Sequence, residues 1–249
     1  MKAISWVSGK GGTGKTTIVG NIGYILSKSG FKTILVDADH GLSCLTRLFK
    51  INARVDLIDL LKSNYVDLKD IVYPTGIENL FIIPSKDRIK VSEIRGFSRL
   101  KGMFNSLNSF DYILIDAPAG LGETIVNLMA VTGYYVIVAQ PTPWSIDAAL
   151  KLKLIGDKIG AKPEGFILND VEGKISMFKD AVPKFEKLLG VRCIGLIPHD
   201  KKVKLSSIKL EIMAENSTNR AVREYYRIAS AIAGLNIKPP KRRLLPFFG

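Results

Sequence analysis

The chain has few cysteines and no long apolar run, and each absence excludes a class of protein. Only two cysteines, Cys44 and Cys193, occur in 249 residues, and they form no C-x-x-C pair. This spacing argues against a disulfide scaffold and against a zinc or iron–sulfur site within one chain. No uncharged apolar run reaches the roughly 18 residues that span a bilayer, and the N-terminus carries no signal-peptide pattern. We therefore expect a cytoplasmic globular protein.

Acidic residues are scarce relative to basic ones. The 36 lysines and arginines outnumber the 23 aspartates and glutamates, which gives a net charge of +13. The last twelve residues, Lys238 to Gly249, contain four basic residues and no acid. A basic body favours anionic partners such as nucleic acid or acidic lipid. The alternative interpretation is a solvated surface of scattered lysines.

Short β-rich runs alternate with helical patterns along most of the chain. The predicted strands are Ala3–Val7, Thr33–Asp37, Leu80–Pro84, Tyr112–Asp116, Tyr134–Ala139, Gly165–Asn169 and Arg192–Ile197. Most of these runs are continuously apolar, which is typical of parallel strands covered on both faces. We predict an α/β fold with a doubly wound, mostly parallel sheet of seven or eight strands flanked by helices. The pattern also allows an antiparallel edge strand around Ile71–Tyr73.

The predicted helices fill the intervals between these strands. They are Lys15–Lys28, Leu42–Phe49, Val55–Leu61, Phe97–Leu107, Gly122–Thr132, Ile146–Ile159, Lys179–Leu189 and Thr218–Ala233. No internal repeat or low-complexity linker precedes Asn236, where "NIKPP" breaks the last helix. We therefore predict one domain, residues 1–237, followed by a basic and apolar tail, residues 238–249.

A phosphate-binding motif follows the first strand. Residues 9–16, "GKGGTGKT", match G-x-x-x-x-G-K-[S/T] between a predicted strand and a predicted helix. The glycines allow backbone N–H groups to point at a polyphosphate, and the helix N-terminus adds partial positive charge. We expect Lys15 to neutralise the β- and γ-phosphates and the Thr16 hydroxyl to bind Mg²⁺. The predicted nucleotide-binding residues of this loop are Lys10, Gly11, Gly12, Thr13, Gly14, Lys15, Thr16 and Thr17.

Carboxylates follow two of the predicted strands. The segment "TILVDADHGL" contains Asp37 and Asp39, and "YILIDAPAG" contains Asp116. A carboxylate at the end of a buried apolar strand is costly unless it binds something, and carboxylate oxygens suit Mg²⁺. We predict a metal site formed by Thr16 with these three aspartates, and we expect Asp39 to orient an attacking water. His40 is expected to be a solvent-exposed loop residue and not a proton carrier.

Three segments together resemble one family. "KGGTGKTT", "DADHGL" and "DAPAG" are similar to motifs of the deviant Walker A ATPases of the MinD/ParA family, in the same order over residues 2–235. The resemblance implies a P-loop NTPase fold, ATP and Mg²⁺ as cofactors, and a homodimer in the ATP-bound state. It also implies slow turnover until a protein activator, whose identity the sequence does not give, completes the site.

The resemblance also assigns roles by position. It implies that Lys10, an extra lysine inside the glycine-rich turn, crosses the dimer interface and contacts the partner's phosphates. Lys10, Lys15 and Asp39 are then the catalytic residues, with Asp39 positioning the hydrolytic water. Asp37 and Asp116 correspond to groups around Mg²⁺.

Further positions contribute to nucleotide recognition by the same resemblance. Gly120 falls in the loop that senses the γ-phosphate, and Asn169 matches an asparagine that reads the adenine edge. Pro198 to Asp200 match a segment that closes over the base. The chain departs from the family pattern at Trp144, where the sequence leaves two interpretations open: an exposed contact residue or an anchor facing the core.

The tail suggests a surface-binding function. Arg242 and Arg243 precede four apolar side chains that are suited to a membrane interface with acidic headgroups. Those side chains are Leu244, Leu245, Phe247 and Phe248. Family members of the MinD type end in a similar short segment, and two tails in one dimer raise avidity. The alternative is a terminus whose phenylalanines pack back on the body.

These features predict a Mg²⁺-dependent ATPase that acts as an ATP-gated dimer switch in spatial positioning of the cell-division site or of cargo. We expect it to be cytoplasmic and peripherally attached to an anionic membrane through its tail. The alternative is a ParA-like partition ATPase that binds DNA without sequence preference. Two basic clusters suit that alternative. They are Lys201, Lys202, Lys204 and Lys209, and Arg95, Arg99 and Lys101.

Overall fold

The strands and helices build one eight-stranded sheet that is covered on both faces. A computed structural model describes residues 1–63, 65–86, 97–173, 178, 180–216 and 219–240. The strands are β1 (Lys2–Ser8), β2 (Thr33–Asp37), β3 (Tyr73–Pro74), β4 (Leu80–Ile83), β5 (Tyr112–Ala119), β6 (Tyr134–Ala139), β7 (Lys162–Val171) and β8 (Cys193–Pro198). Their order is β3-β4-β2-β5-β1-β6-β7-β8. Only β3 pairs antiparallel, at the edge beside β4, so the predicted fold class is confirmed.

Helices connect the strands on both sides of the sheet. They are α1 (Lys15–Lys28), α2 (Cys44–Leu48), α3 (Leu57–Lys62), α4 (Leu68–Ile71), α5 (Phe97–Ser106), α6 (Glu123–Thr132), α7 (Pro143–Ile159), α8 (Val182–Leu189), α9 (Lys201–Lys209), α10 (Met213–Asn216) and α11 (Arg220–Ala233). The sequence pattern predicted eight of these and missed α4, α9 and α10. Helices α4 and α10 are single turns, and α9 carries four lysines with no clear apolar period.

Two hydrophobic layers, one on each face of the sheet, explain why the strands read as unbroken apolar runs. Along β5, Ile113 and Ile115 pack into one layer and Leu114 packs into the other. Successive side chains of a strand point to opposite faces, so a strand covered on both faces is apolar at every position. No helix among the described ranges is long and apolar enough to cross a membrane.

The strand order places the ends of three parallel strands together. Strand β1 lies between β5 and β6, and β2 lies on the far side of β5. In open α/β sheets of this kind, ligands bind outside the carboxyl ends of the strands where the order of connections reverses. The loops after β1, β2 and β5 meet at this edge. The predicted tail residues from Arg242 onward lie outside the described residues.

One helix end stores backbone strain. Leu210, which follows α9, has φ +55° and ψ +52°, a left-handed conformation that suits glycine at this position. Gly190 occupies the equivalent position after α8, with φ +62° and no atom within 4 Å of where a Cβ would lie. The two helix ends therefore differ mainly in the side chain forced into the left-handed region.

We predict that Leu210→Gly stabilises the protein by about 0.5–1 kcal/mol. Relief of the left-handed conformation is worth about 1–2 kcal/mol, and the greater freedom that glycine gives the unfolded chain offsets part of it. For a chain of this size the melting temperature should rise by about 2–4 °C per kcal/mol, measured by thermal unfolding. The matched variant Gly190→Leu should lower it. A lower melting temperature for Leu210→Gly would contradict the strain.

Candidate nucleotide-binding site

The phosphate loop joins β1 to α1 in a form that only glycine permits at its last turn. Gly14 has φ +82° and caps α1, and a Cβ there would lie 2.2 Å from Nδ2 of Asn169. The first turn of α1 carries no acidic side chain. The helix N-terminus therefore presents free N–H groups and partial positive charge to the loop, which suits an anionic ligand.

Lys15 and Thr16 both contact one carboxylate. Lys15 Nζ lies 2.5 Å from Asp116 Oδ1 and also donates to the carbonyl of Ala117. Thr16 Oγ1 donates to Asp116 Oδ2 at 2.6 Å. Lys15 and Asp116 are buried, so this ion pair is poorly screened by water. The predicted phosphate lysine and the two predicted metal-site residues thus form one connected cluster.

Asp37 stands beside Asp116 and is held by α2. The two aspartates are register partners on the adjacent strands β2 and β5, and neither is exposed. Asp37 Oδ2 accepts hydrogen bonds from the backbone N and Oγ1 of Thr46, at 2.8 and 2.7 Å. Burial, and then the negative charge of Asp116, raise the pKa of Asp37 to about 7. Two carboxylates are therefore buried side by side, and Lys15 pairs with one of them, Asp116.

This arrangement fits Mg²⁺ in the way that phosphate-loop proteins hold it. Within the described residues, no three His, Cys, Asp or Glu side chains are grouped to hold a metal ion by themselves. Mg²⁺ is usually bound through one or two carboxylates, a hydroxyl, waters and the phosphates of its nucleotide, so no such group is required. Thr16, Asp37 and Asp116 supply hard oxygen donors with excess negative charge. The residues present suit the predicted ion.

Asp39 lies in the wall of an open cavity above this cluster. Its Oδ1 accepts a hydrogen bond from the backbone N of Gly41 at 3.1 Å, which fixes the carboxylate in the loop. The cavity measures about 560 Å³, within the usual range for small-molecule sites. Besides Asp39 it is lined by Ser8, Lys10, Gly11, Gly12, Thr13, Gly14, Lys15, Thr16, Thr17, Leu42, Cys44, Arg47, Leu48, Ala119, Ser207 and Leu210.

The expectation of an exposed His40 is wrong. The side chain is 7% exposed, and its Nδ1 forms a 3.0 Å hydrogen bond with Oγ of Ser85, at the end of β4. Ser85 also donates its backbone N to Oγ1 of Thr46, which holds Asp37. His40 therefore belongs to a buried polar network behind the carboxylates. The loop folds inward because Ser85, 45 positions away, supplies a partner.

The other predicted recognition residues lie around the loop at different depths. Gly120 has φ +114°, and its N donates to the carbonyl of Ser8, which places it beside the phosphate loop. Asn169 is buried and donates Nδ2 to the carbonyl of Thr13 at 2.7 Å. Asp200 caps α9 and accepts a hydrogen bond from Asn219. The adenine-reading roles of Asn169, Pro198 and Asp200 stay predictions.

Two contributions were not assigned from the sequence. Thr46 binds Asp37 through both its backbone and its hydroxyl, and Ser207 of α9 hydrogen-bonds the Thr17 hydroxyl at 3.0 Å. The signal for Thr46 was its place in the predicted helix Leu42–Phe49, directly after the segment that carries Asp37 and Asp39. Nothing marked Ser207, because α9 was not predicted as a helix.

The raised pKa of Asp37 predicts a pH-dependent stability. Between about pH 4 and about pH 7 the folded chain keeps a proton that the unfolded chain has released. The free energy of unfolding of the nucleotide-free protein should therefore fall as the pH rises through this window. Asp37→Asn, which removes the charge, should be more stable than wild type at pH 8 by an amount on the order of a few kcal/mol. The difference should vanish near pH 4.

Urea unfolding at several pH values measures this difference. Asp147→Asn is the matched control, because Asp147 is exposed on α7 and pairs with the exposed Lys151 in the next turn. It should change stability little at any pH. A stability difference for Asp37→Asn that is the same at pH 4 and pH 8 would show that the buried charge is not its cause.

Comparison with known proteins identifies the family of this chain. A family model described as "AAA domain" matches residues 1–159. The septum site-determining protein MinD of Synechocystis sp. is 31% identical, over 92% of this chain and 88% of that protein. The structure of the cell division ATPase MinD of Pyrococcus furiosus is 26% identical, with a TM-score of 0.83, over 94% of this chain and 98% of that chain. The structure of MinD of Pyrococcus horikoshii, solved with Mg-ADP, is 26% identical, with a TM-score of 0.82, over 93% of this chain and 95% of that chain. This chain therefore belongs to the MinD/ParA family of ATP-binding P-loop proteins.

Proposed function

We propose that the chain is a Mg²⁺-dependent ATPase that works as an ATP-gated dimer switch in spatial positioning, of the cell-division site or of cargo. The observation that carries the proposal is the contrast between its two loop lysines. Lys15 is buried against Asp116, whereas Lys10 is exposed at the mouth of the cavity. A lysine that faces away from the interior of its own loop suits the phosphates of a second copy.

The residues of the site divide the work of ATP hydrolysis. The backbone N–H groups of the phosphate loop bind the phosphates. The Lys15 side chain leaves Asp116 and pairs with the phosphates instead. Thr16, Asp37 and Asp116 would hold Mg²⁺, and the ion would neutralise charge on the phosphate oxygens. Asp39 orients the attacking water from the cavity wall. Lys10 of the second copy stabilises the charge that develops in the transition state.

Surface attachment follows from the tail in this proposal. Arg242 and Arg243 meet acidic headgroups, and the apolar side chains after them enter the interface. One short tail binds weakly. In a dimer, binding of the first tail holds the second at a high effective concentration near the membrane, so the two tails together bind more tightly. ATP therefore favours membrane attachment, and hydrolysis releases the protein to the cytoplasm.

A DNA-binding partition ATPase is the second candidate, and α9 favours it. Its four lysines are all exposed, and no acid occurs between positions 201 and 210. They are Lys201, Lys202, Lys204 and Lys209. In the other basic cluster, Arg99 donates to the carbonyls of Leu60 and Ser63 at the end of α3, so it is less available to DNA. Arg95 lies outside the described residues. A row of exposed lysines binds DNA phosphates without reading sequence.

We predict that Lys10→Ala and Lys15→Ala fail at different steps. Lys15→Ala should weaken ATP binding to the monomer by about 10- to 100-fold, because it removes a hydrogen bond to a charged group. Lys10→Ala should bind ATP normally but should neither dimerise nor hydrolyse it. Nucleotide titration and sedimentation measure the two properties. Equal loss of ATP binding in both variants would reduce Lys10 to a local charge.

The dimer itself is tested by Asp39→Ala, which should trap the ATP-bound state because the attacking water is no longer oriented. With ATP and Mg²⁺ this variant should sediment as a dimer, and with ADP it should be a monomer. Persistence of the monomer with ATP and Mg²⁺ at high protein concentration would remove the dimer switch. Asp147→Ala, a change on the exposed side of α7, is the matched control.

Membrane binding and DNA binding are distinguished by removing residues 238–249. The full chain should co-sediment with vesicles of anionic phospholipid only with ATP, and the shortened chain should not. Vesicles of neutral lipid are the control. Vesicle binding that survives the deletion would contradict the role of the tail. Retention on DNA that falls steeply with salt, and that is lost in Lys201→Gln/Lys204→Gln, would instead favour the partition ATPase.

A further inference from the structure

The exposed lysine of the phosphate loop contacts an exposed tryptophan. Lys10 Nζ lies 5.9 Å from the centre of the Trp144 ring, at the outer limit of a cation–π contact. Trp144 is 70% exposed, so the interpretation of a core-facing anchor is excluded. The Trp144 ring therefore lies at the surface of the protein, beside the phosphate loop.

The backbone on both sides of this contact is fixed. Gly9 packs so closely on α7 that a Cβ there would lie 2.4 Å from the Cβ of Ala148. Trp144 precedes Ala148 by four residues, so both lie on the helix face toward the phosphate loop. On the other side, Ser8 Oγ donates to the carbonyl of Lys10 at 3.0 Å. The two side chains therefore start from anchored positions.

The helix turn that carries Trp144 is also well capped. Thr142 caps α7 through its side chain, Pro143 occupies the first turn, and the Ser145 hydroxyl accepts a hydrogen bond from the backbone N of Gln140. Proline and a hydroxyl cap are both favoured at a helix start. The capped turn fixes the backbone of Trp144 beside the loop, although most of the ring is exposed to solvent.

We propose that Trp144 is the resting position of Lys10 in the separate subunit, and that Lys10 leaves the ring when it reaches the phosphates of a second copy. Trp144 is thus a positioning residue that acts through Lys10. The inference rests on the proposed dimer switch. It adds that a contact within the subunit opposes dimerisation and delays it until ATP is bound.

The strength of the contact suits this role. A cation–π contact at an exposed site shifts an equilibrium by roughly 2- to 5-fold. Two such contacts are broken in a symmetric dimer, so their combined effect on the dimer dissociation constant is about 5- to 30-fold. Phosphate charges that carry Mg²⁺ in a closed interface attract an ammonium more strongly than this. The ring can hold Lys10 without preventing the switch.

The contact is tested first in the nucleotide-free protein, by NMR of the Lys10 side chain. The CεH₂ resonance, assigned by its loss in Lys10→Arg, should be shifted upfield by the ring current of Trp144. The shift should disappear in Trp144→Leu and partly remain in Trp144→Phe, which keeps an aromatic face. Tyr134→Leu is the matched control, because it removes a Lys2–Tyr134 contact of the same 5.9 Å at the amino ends of β1 and β6, away from the phosphate loop.

The consequence is tested in the Asp39→Ala background with ATP and Mg²⁺, by sedimentation equilibrium. Adding Trp144→Leu should tighten the dimer by about 5- to 30-fold, and adding Tyr134→Leu should leave it unchanged. Titration with ATP at low protein concentration should show equal binding to the monomer in all these variants. The ring-current shift of Lys10 should also vanish in the ATP-bound dimer.

Each failure has a distinct meaning. Absence of the ring-current shift in the nucleotide-free protein overturns the resting position, whatever the dimer does. A dimer that is unchanged or weakened by Trp144→Leu also overturns it, since Trp144 would then be neutral or a contact of the interface. If no variant dimerises with ATP although Lys10 shows the shift, the dimer switch fails and the opposing role of Trp144 fails with it.

Discussion

The site depends on the ion pair between Lys15 and Asp116, because it balances charge where two strands force carboxylates together. Strand register places Asp37 opposite Asp116, with both side chains fully buried. One ammonium and one hydroxyl, from Lys15 and Thr16, satisfy Asp116 on the side of the phosphate loop. Removing one partner of such a buried pair typically costs roughly 3–5 kcal/mol. In the nucleotide-free protein, Lys15 therefore balances the charge that Asp116 places at the end of β5.

Thr46 extends this constraint from the carboxylates to the edge of the sheet. Its hydroxyl donates a hydrogen bond to Asp37 and accepts one from the backbone N of Ser85. The Ser85 hydroxyl in turn forms a hydrogen bond with His40. A change of charge at Asp37 therefore alters the strength of hydrogen bonds made by α2, by the residues after β4 and by the loop after β2. Buried polar networks of this kind are stable when every link is satisfied. The loop that carries Asp39 begins and ends on this network.

How far the sequence predicts the structure differs between the core and the surface of the site. Strands β2 and β6 and helix α1 have their predicted bounds, because unbroken apolar runs and a glycine-rich turn mark them locally. The inward position of His40 depends on Ser85, whose proximity no local pattern shows. Helix α9 was missed because its lysines hide any apolar period. Trp144 stayed ambiguous, since a lone aromatic residue at a helix start fits either a buried or an exposed site.

The two lysines of the loop differ in what can displace them, and this difference orders the events of a switch. Lys15 is held by a buried carboxylate and a carbonyl, so only a charged ligand inside the same loop offers it a better partner. Lys10 is held by an exposed ring at 5.9 Å, so it exchanges readily with solvent. A nucleotide therefore recruits Lys15 within one subunit. Lys10 responds only when a second charged surface faces the loop, which makes it the later and more reversible contact.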